Sequence, residues 1–126
     1  MRHFRPIWTN RDEPYLLIVN GATGKDSLWV ASSGPARRQG LLGTDGLDGV
    51  LWIERCSSVH TFGMRYPIDV AYLTRTGRVL DVVTMRPGRA GLPRPRARSV
   101  LEAPAGALAP LGVRPGAVVS RSAAPS

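Results

Sequence analysis

This 126-residue chain holds one cysteine, one lysine and two histidines. The single Cys56 excludes an internal disulfide framework and any zinc site built on several thiolates. No stretch reaches the roughly 18 consecutive apolar residues of a membrane helix, so no membrane span is expected. The opening Met1-Arg2-His3-Phe4-Arg5-Pro6 runs into polar residues rather than an apolar segment. That predicts no secretory leader and a cytoplasmic home. There is no internal repeat and no nucleotide-binding glycine loop.

What is present is ordinary in bulk and unusual in detail. Hydrophobic residues are 43% and charged residues 21%, near the globular average, which excludes wholesale disorder. A chain of this length buries about 68% of its unfolded surface and builds one core without staples. Gly 14 and Pro 11 make up about a fifth of the sequence. That favours short elements joined by turns over long helices. The net charge is +8, and sixteen of the seventeen basic residues are arginine, Lys25 being the exception.

Residues 1–14 read as an arm and 122–126 as a tail, with one domain over 15–121. Tyr15–Val19 is an apolar run of strand length, and Asn20–Gly24 has turn composition. Ser27–Ala31 reads as a second strand, so the pair forms a hairpin. Ser33 or Gly34 would cap a two-turn helix near residues 35–42, with Pro35 in its first turn and Gly43 at its end. Further strands are predicted at Val50–Ile53, Val59–Met64, Ile68–Leu73, Val79–Met85, Ser99–Ala103 and Ala117–Ser120. A Thr74–Gly77 hairpin turn joins two of them. Ala107–Leu111 reads as one helical turn stopped by Gly112. The expectation is a mainly β domain, a single compact β-sandwich or barrel-like fold of seven or eight short strands with one short helix.

Two motifs are more specific. Arg37-Arg38-Gln39-Gly40-Leu41-Leu42 is followed by His60-Thr61-Phe62-Gly63-Met64-Arg65-Tyr66-Pro67-Ile68-Asp69-Val70. Gly77, Pro87, Val100-Leu101-Glu102, Ala105-Gly106, Gly112 and Gly116 come after them in order. This pattern, over roughly residues 28–120, resembles domain of unknown function family 192, a family of small bacterial and archaeal proteins. The resemblance implies a compact, mostly β domain of sandwich type with a short helix, and it implies no reaction. Members often follow a signal peptide or lipoprotein leader. Many carry Trp-Met-x-Asn-Thr where this chain has His60 to Met64, and Gly-Leu-Met where it has Gly40-Leu41-Leu42. A position that is Trp in relatives is a poor family-wide catalytic base.

The residues that would carry chemistry each have a structural reading beside the functional one. Asp69 lies in an apolar strand pattern. It would pair with His60 as an acid/base dyad, or accept backbone N–H bonds or pair with Arg37 as a buried structural group. The structural reading is favoured. His60 would share a strand face with Phe62 and Met64, which favours a core or pocket-lining histidine. Cys56 precedes it by four and would join a Cys–His nucleophile pair or a metal set, or serve as a small buried hydrophobe. Arg37 and Glu102 would converge with Asp69 in a polar pocket, or form an internal ion pair locking helix to sheet. Trp8, Trp29 and Trp52 read as core or sheet-face residues.

A pocket at the Met64–Asp69 turn would draw on Arg37, His60, Thr61, Met64, Asp69 and Glu102. Arg86, Arg89, Arg94, Arg96 and Arg98 form an acid-free basic loop, an electrostatic footprint for polyanions or simply a solvated loop. Without an aromatic residue in it, nucleic acid is not the expected partner. The expected function is non-catalytic binding of a small ligand or a protein, with no cofactor and no metal. The alternatives are a small hydrolase or isomerase using His60 and Asp69, and weak polyanion binding through the Arg86–Arg98 loop.

Overall fold

The structure, a computed structural model, describes Trp8 and residues 15–122. The expected arm, Trp8 aside, and the tail beyond Ser122 lie outside the described residues. Strands are β1 (Tyr15–Val19), β2 (Ala22–Ala31), β3 (Val50–Glu54), β4 (Ile68–Leu73), β5 (Val79–Met85), β6 (Ser99–Pro104) and β7 (Val119–Arg121). One helix, α1, spans Gly34–Gln39, and a 3-10 turn spans Ala109–Leu111. The mainly β domain with one short helix is therefore borne out. Among the described residues the seven strands form a single sheet, ordered β5-β4-β6-β3-β2-β1-β7. It is not closed into a barrel, although Arg78 and Val118 form one bridge near its two edges.

Every strand pair is antiparallel except β2–β3. A parallel pair needs a crossover, and residues 32–49 supply it with α1 inside. Ser33 caps that helix, its Oγ accepting from the Ala36 N–H at 3.1 Å, and Pro35 suits the first turn. The helix ends at Gly40 rather than at the expected Gly43, because Gly40 takes φ 51°, which an L side chain adopts only with strain.

The first hairpin is tighter than its composition implied. Only Asn20 and Gly21 form the turn, with φ 50° and 82°, the left-handed pair of a two-residue hairpin. So β2 begins at Ala22, five residues before the expected Ser27. Residues 22–25 are exposed, and an exposed polar strand end carries no apolar signal.

Both faces of the sheet are covered. All six residues of β4 are buried, which is why it reads as a continuous apolar run rather than an alternation. One face packs Leu51, Ile53, Ile68, Val70, Tyr72 and Val100 against Ala36, Leu41, Met64 and Trp8. The other packs Leu28, Val50, Ala71, Leu73 and Leu101 against Leu108, Val113 and Val119. At the β4–β5 turn Gly77 has φ 88°, and a Cβ there would run into the Val119 carbonyl oxygen.

The strand expected at Val59–Met64 is not formed; only His60 makes a single bridge, to Ala90. Gly63 at φ 83° breaks the extended path. The segment instead zips onto the Arg-rich loop. Thr61 N–H donates to Arg89 O at 2.7 Å, Gly88 N–H to Thr61 O and Gly91 N–H to Val59 O, both at 2.8 Å. His60 and Phe62 are consequently exposed while Met64 is buried, so the three do not share a face.

Candidate functional site

Glu102 sits on β6, a strand inside the sheet, opposite Leu51 of β3 and Val70 of β4. Its neighbours Leu101 and Ala103 belong to the core of one face, so alternation aims Glu102 at the other, beneath the Gly40 loop. Glu102 is 5% exposed. A Cβ on Gly40 would stand 3.0 Å from Glu102 Oε1, so glycine there lets the loop backbone close over the carboxyl group. Trp8 fixes that loop from outside, its Nε1–H donating to Gly40 O at 2.8 Å. A core role for Trp8 follows.

No cation answers this carboxyl group among the described residues. Arg37, the expected partner, donates instead to the carbonyls of Glu54 (Nε, 2.8 Å) and Arg55 (Nη2, 2.7 Å). It does lock helix to sheet, but through the C-terminal end of β3. Burial pushes Glu102 up to about 7 from an ordinary 4.5, and the Leu41 backbone N–H opposes that only partly. A buried charge without a counter-ion is costly, so the proton is held through the weakly acidic range in which an ordinary carboxyl group has lost it.

The carboxyl group lies on a cleft of about 280 Å³ lined also by Arg37, Arg38, Cys56, His60 and Met64. Leu41, Ile53, Val59 and Ile68 form its apolar wall. Of the six residues expected at a pocket, the structure thus brings together Arg37, His60, Met64 and Glu102. Thr61 and Asp69 stand elsewhere. Thr61 is fully buried, its hydroxyl donating to Arg86 O at 2.6 Å and accepting from Arg89 N–H at 2.8 Å. Asp69 Oδ1 accepts from Thr84 Oγ1 at 2.7 Å. Its Oδ2 accepts from the N–H groups of Gly106 (2.9 Å) and Leu108 (3.3 Å). The His60–Asp69 dyad is not formed: Asp69 faces the turn after β6, and His60 stacks on Phe62 with centroids 5.2 Å apart.

Cys56 is half-buried, and its Sγ–H donates to Ser58 O at 3.1 Å. Burial pushes the thiol up, and the nearby Glu102 adds to that, which weakens it as a nucleophile. Among the described residues, no three His, Cys, Asp or Glu side chains are placed to share a metal ion. In the basic loop, Arg86, Arg89, Arg96 and Arg98 are exposed. Arg94 is not free. It pairs with Asp81 at 2.8 Å and lies 4.2 Å over the Tyr72 ring.

The sequence reading missed Arg38 and Cys56 as cleft walls and Gly40 as the residue that admits Glu102. The signal was there in part: Glu102 interrupts an apolar strand, and Gly40 lies inside the arginine motif.

The sequence profile of DUF192, described as "Uncharacterized ACR", matches residues 17–121. The chain belongs to this family. A UPF0127 protein of Pyrococcus horikoshii is 44% identical over 50 residues, which is 40% of this chain and 44% of that protein. Another, from Thermococcus gammatolerans, is 39% identical over 64 residues, 51% of this chain and 42% of that protein. The matched region of this chain thus spans under half the length of these curated relatives. Among solved structures, a protein of unknown function from Novosphingobium aromaticivorans superposes with a TM-score of 0.71 at 19% identity, covering 85% of this chain and 83% of that one. A Sinorhizobium meliloti protein described as a candidate transcription regulator gives 0.63 at 20% identity, covering 86% and 92%. At that identity both show the DUF192 chain's fold alone. No helix among the described residues is long and apolar enough to cross a membrane.

Proposed function

We propose that this DUF192 domain is a non-catalytic binding protein whose ligand enters the Glu102 cleft. The observation that carries the reading is a buried carboxyl group, unpaired with any cation, at the base of an open cleft with apolar walls. A carboxyl group that keeps its proton near neutrality both donates and accepts a hydrogen bond. It suits a hydroxyl, amide or amine head, and an amine would take the proton and leave an ion pair. The volume is at the small end for ligand pockets, so the ligand is a compact amphipathic molecule. Arg38 and His60 lie along the same cleft and suit an anionic group at the ligand's other end.

The test is a screen of small amines, amides and carboxylic acids by amide NMR. Saturable shifts centred on Gly40, Leu41 and Met64 are expected, and Glu102→Leu should abolish them without unfolding the domain. Shifts scattered over the surface, or unchanged in Glu102→Leu, would sink the proposal.

One observation favours a second reading. Burial that pushes the Glu102 carboxyl group up to about 7, at the base of an open cleft, poises it for general acid/base work. In this reading the proton-transfer role passes from the His60/Asp69 pair to Glu102, because the Asp69 oxygens are taken by Thr84, Gly106 and Leu108. A screen hit that is chemically changed, and is left unchanged by Glu102→Gln, would decide for it.

A further inference from the structure

Four arginines from four segments meet on the opposite side of β3 from the Glu102 cleft. Arg55 follows β3, Arg75 sits in the β4–β5 turn, Arg98 precedes β6 and Arg121 ends β7. With Trp52 and Glu54 they line an open depression of about 450 Å³. Ile53 lines the Glu102 cleft and its neighbours Trp52 and Glu54 line this one, as strand alternation requires. The two sites therefore open on opposite faces of β3 and approach each other at its C-terminal end, where Arg37 bonds to the Glu54 and Arg55 carbonyls.

The charges here do not balance. Four arginines and one carboxylate line the depression, an excess of three positive charges among its lining residues. Arg121 is the fixed element. Its Nη2–H donates to Glu54 Oε2 at 2.7 Å, and its guanidinium lies 5.1 Å from the Trp52 ring centre and 5.6 Å from that of Tyr15. Its Nη1 is buried and has no hydrogen-bond partner among the described residues. Buried donors are rarely left unanswered, because each forfeits its hydration. The other arginines are held loosely or turned partly away. Arg75 and Arg98 are exposed. Arg98 Nη1 reaches the Pro95 and Ala97 carbonyls only at 3.3 Å. Arg55 spends Nη2 on Ser32 O at 2.9 Å.

We propose that this depression binds a phosphoryl group carrying two negative charges, as in a phosphate monoester or a diphosphate. Guanidinium forks match phosphoryl oxygens bidentately. A phosphoryl group brings close to two charges and three acceptor oxygens, enough to answer the exposed Arg75 and Arg98 beside the Glu54-paired Arg121. A single carboxylate would leave most of the positive charge unanswered. Nucleic acid fits less well, because Trp52 and Tyr15 both lie under Arg121 and offer no free ring for a base.

Arginine Nε–Hε NMR, with inorganic phosphate and then pyrophosphate titrated at fixed ionic strength, tests the site. Saturable shifts at Arg75, Arg98 and Arg121 are expected, tighter for pyrophosphate. The double variant R75Q/R98Q removes only exposed side chains, so it keeps the fold, and it should weaken binding about tenfold or more. Vesicles containing phosphatidic acid separate the sources of the group. Saturation by pyrophosphate with no vesicle binding identifies a free phosphoester, and vesicle binding abolished by R75Q/R98Q identifies a lipid headgroup. Shifts that never saturate, or that persist unchanged in R75Q/R98Q, overturn the proposal.

Discussion

Glu102→Gln is expected to stabilise the domain at pH 8 and to leave it nearly unchanged at pH 4. Burial raises the folded-state value of this carboxyl group from 4.5 to about 7. Between those two values the native state holds a proton that the unfolded chain has released. Stability therefore falls as pH rises through that window and levels off above it. The accumulated penalty is roughly 3 kcal/mol at pH 8. Glutamine keeps an acceptor for the Leu41 N–H and never ionises, so the variant escapes the penalty. Its midpoint of thermal unfolding at pH 8 should exceed the wild type's by about 10 °C. Urea or thermal denaturation at the two pH values checks this. Equal destabilisation at both would mean that Glu102 is a charged structural group with a partner, and the cleft would lose its distinctive chemistry.

The opposite result is expected at the other buried acid. Asp69→Ala removes the acceptor for the Thr84 hydroxyl and for the Gly106 and Leu108 N–H groups. Two backbone donors after β6 would be left without a partner beside the buried Leu108, which anchors one face of the core. The expected loss is roughly 3–5 kcal/mol, a large share of the 5–15 kcal/mol that holds a typical domain together. Asp69→Asn retains one acceptor oxygen and should lose about half as much. Unfolding free energies by urea denaturation decide the matter. A loss below about 1 kcal/mol for Asp69→Ala would return Asp69 to the list of functional carboxylates.

The strands were legible where their residues face a core, and less so where they do not. Ile68–Leu73 announces itself because both faces of the sheet bury it, and Thr74–Gly77 because only glycine tolerates the close approach of β7. The Ala22–Asp26 end of β2 was hidden because it is polar and half in solvent. Val59–Met64 misled in the other direction. It has the composition of a strand, but Gly63 turns the chain, and the segment pairs with the Arg86–Gly91 loop instead: the Thr61 N–H donates to Arg89 O, and the Val59 and Thr61 carbonyls accept from Gly91 and Gly88. Which strands pair is a long-range matter, and the parallel β2–β3 contact has no local signature.

The site was legible as residue types rather than as partnerships. Glu102 and Arg37 were both picked out, and both reach the cleft. Nothing in the spacing said that Arg37 would turn to the carbonyls of β3 and leave Glu102 alone. Asp69 and Glu102 look alike in sequence, each a single acid in an apolar strand. They differ in what the fold aims at them: three donors at Asp69, and at Glu102 a backbone N–H and an open cleft.

Glu102 is a buried carboxyl group with no cation beside it among the described residues, and its own titration tests this most directly. Following the Glu102 side-chain carboxyl carbon by NMR from pH 3 to pH 9 should give a midpoint near 7. A midpoint near 4.5 would mean that the group is solvated or paired, and the Glu102 cleft would have no uncompensated carboxyl group to offer a ligand.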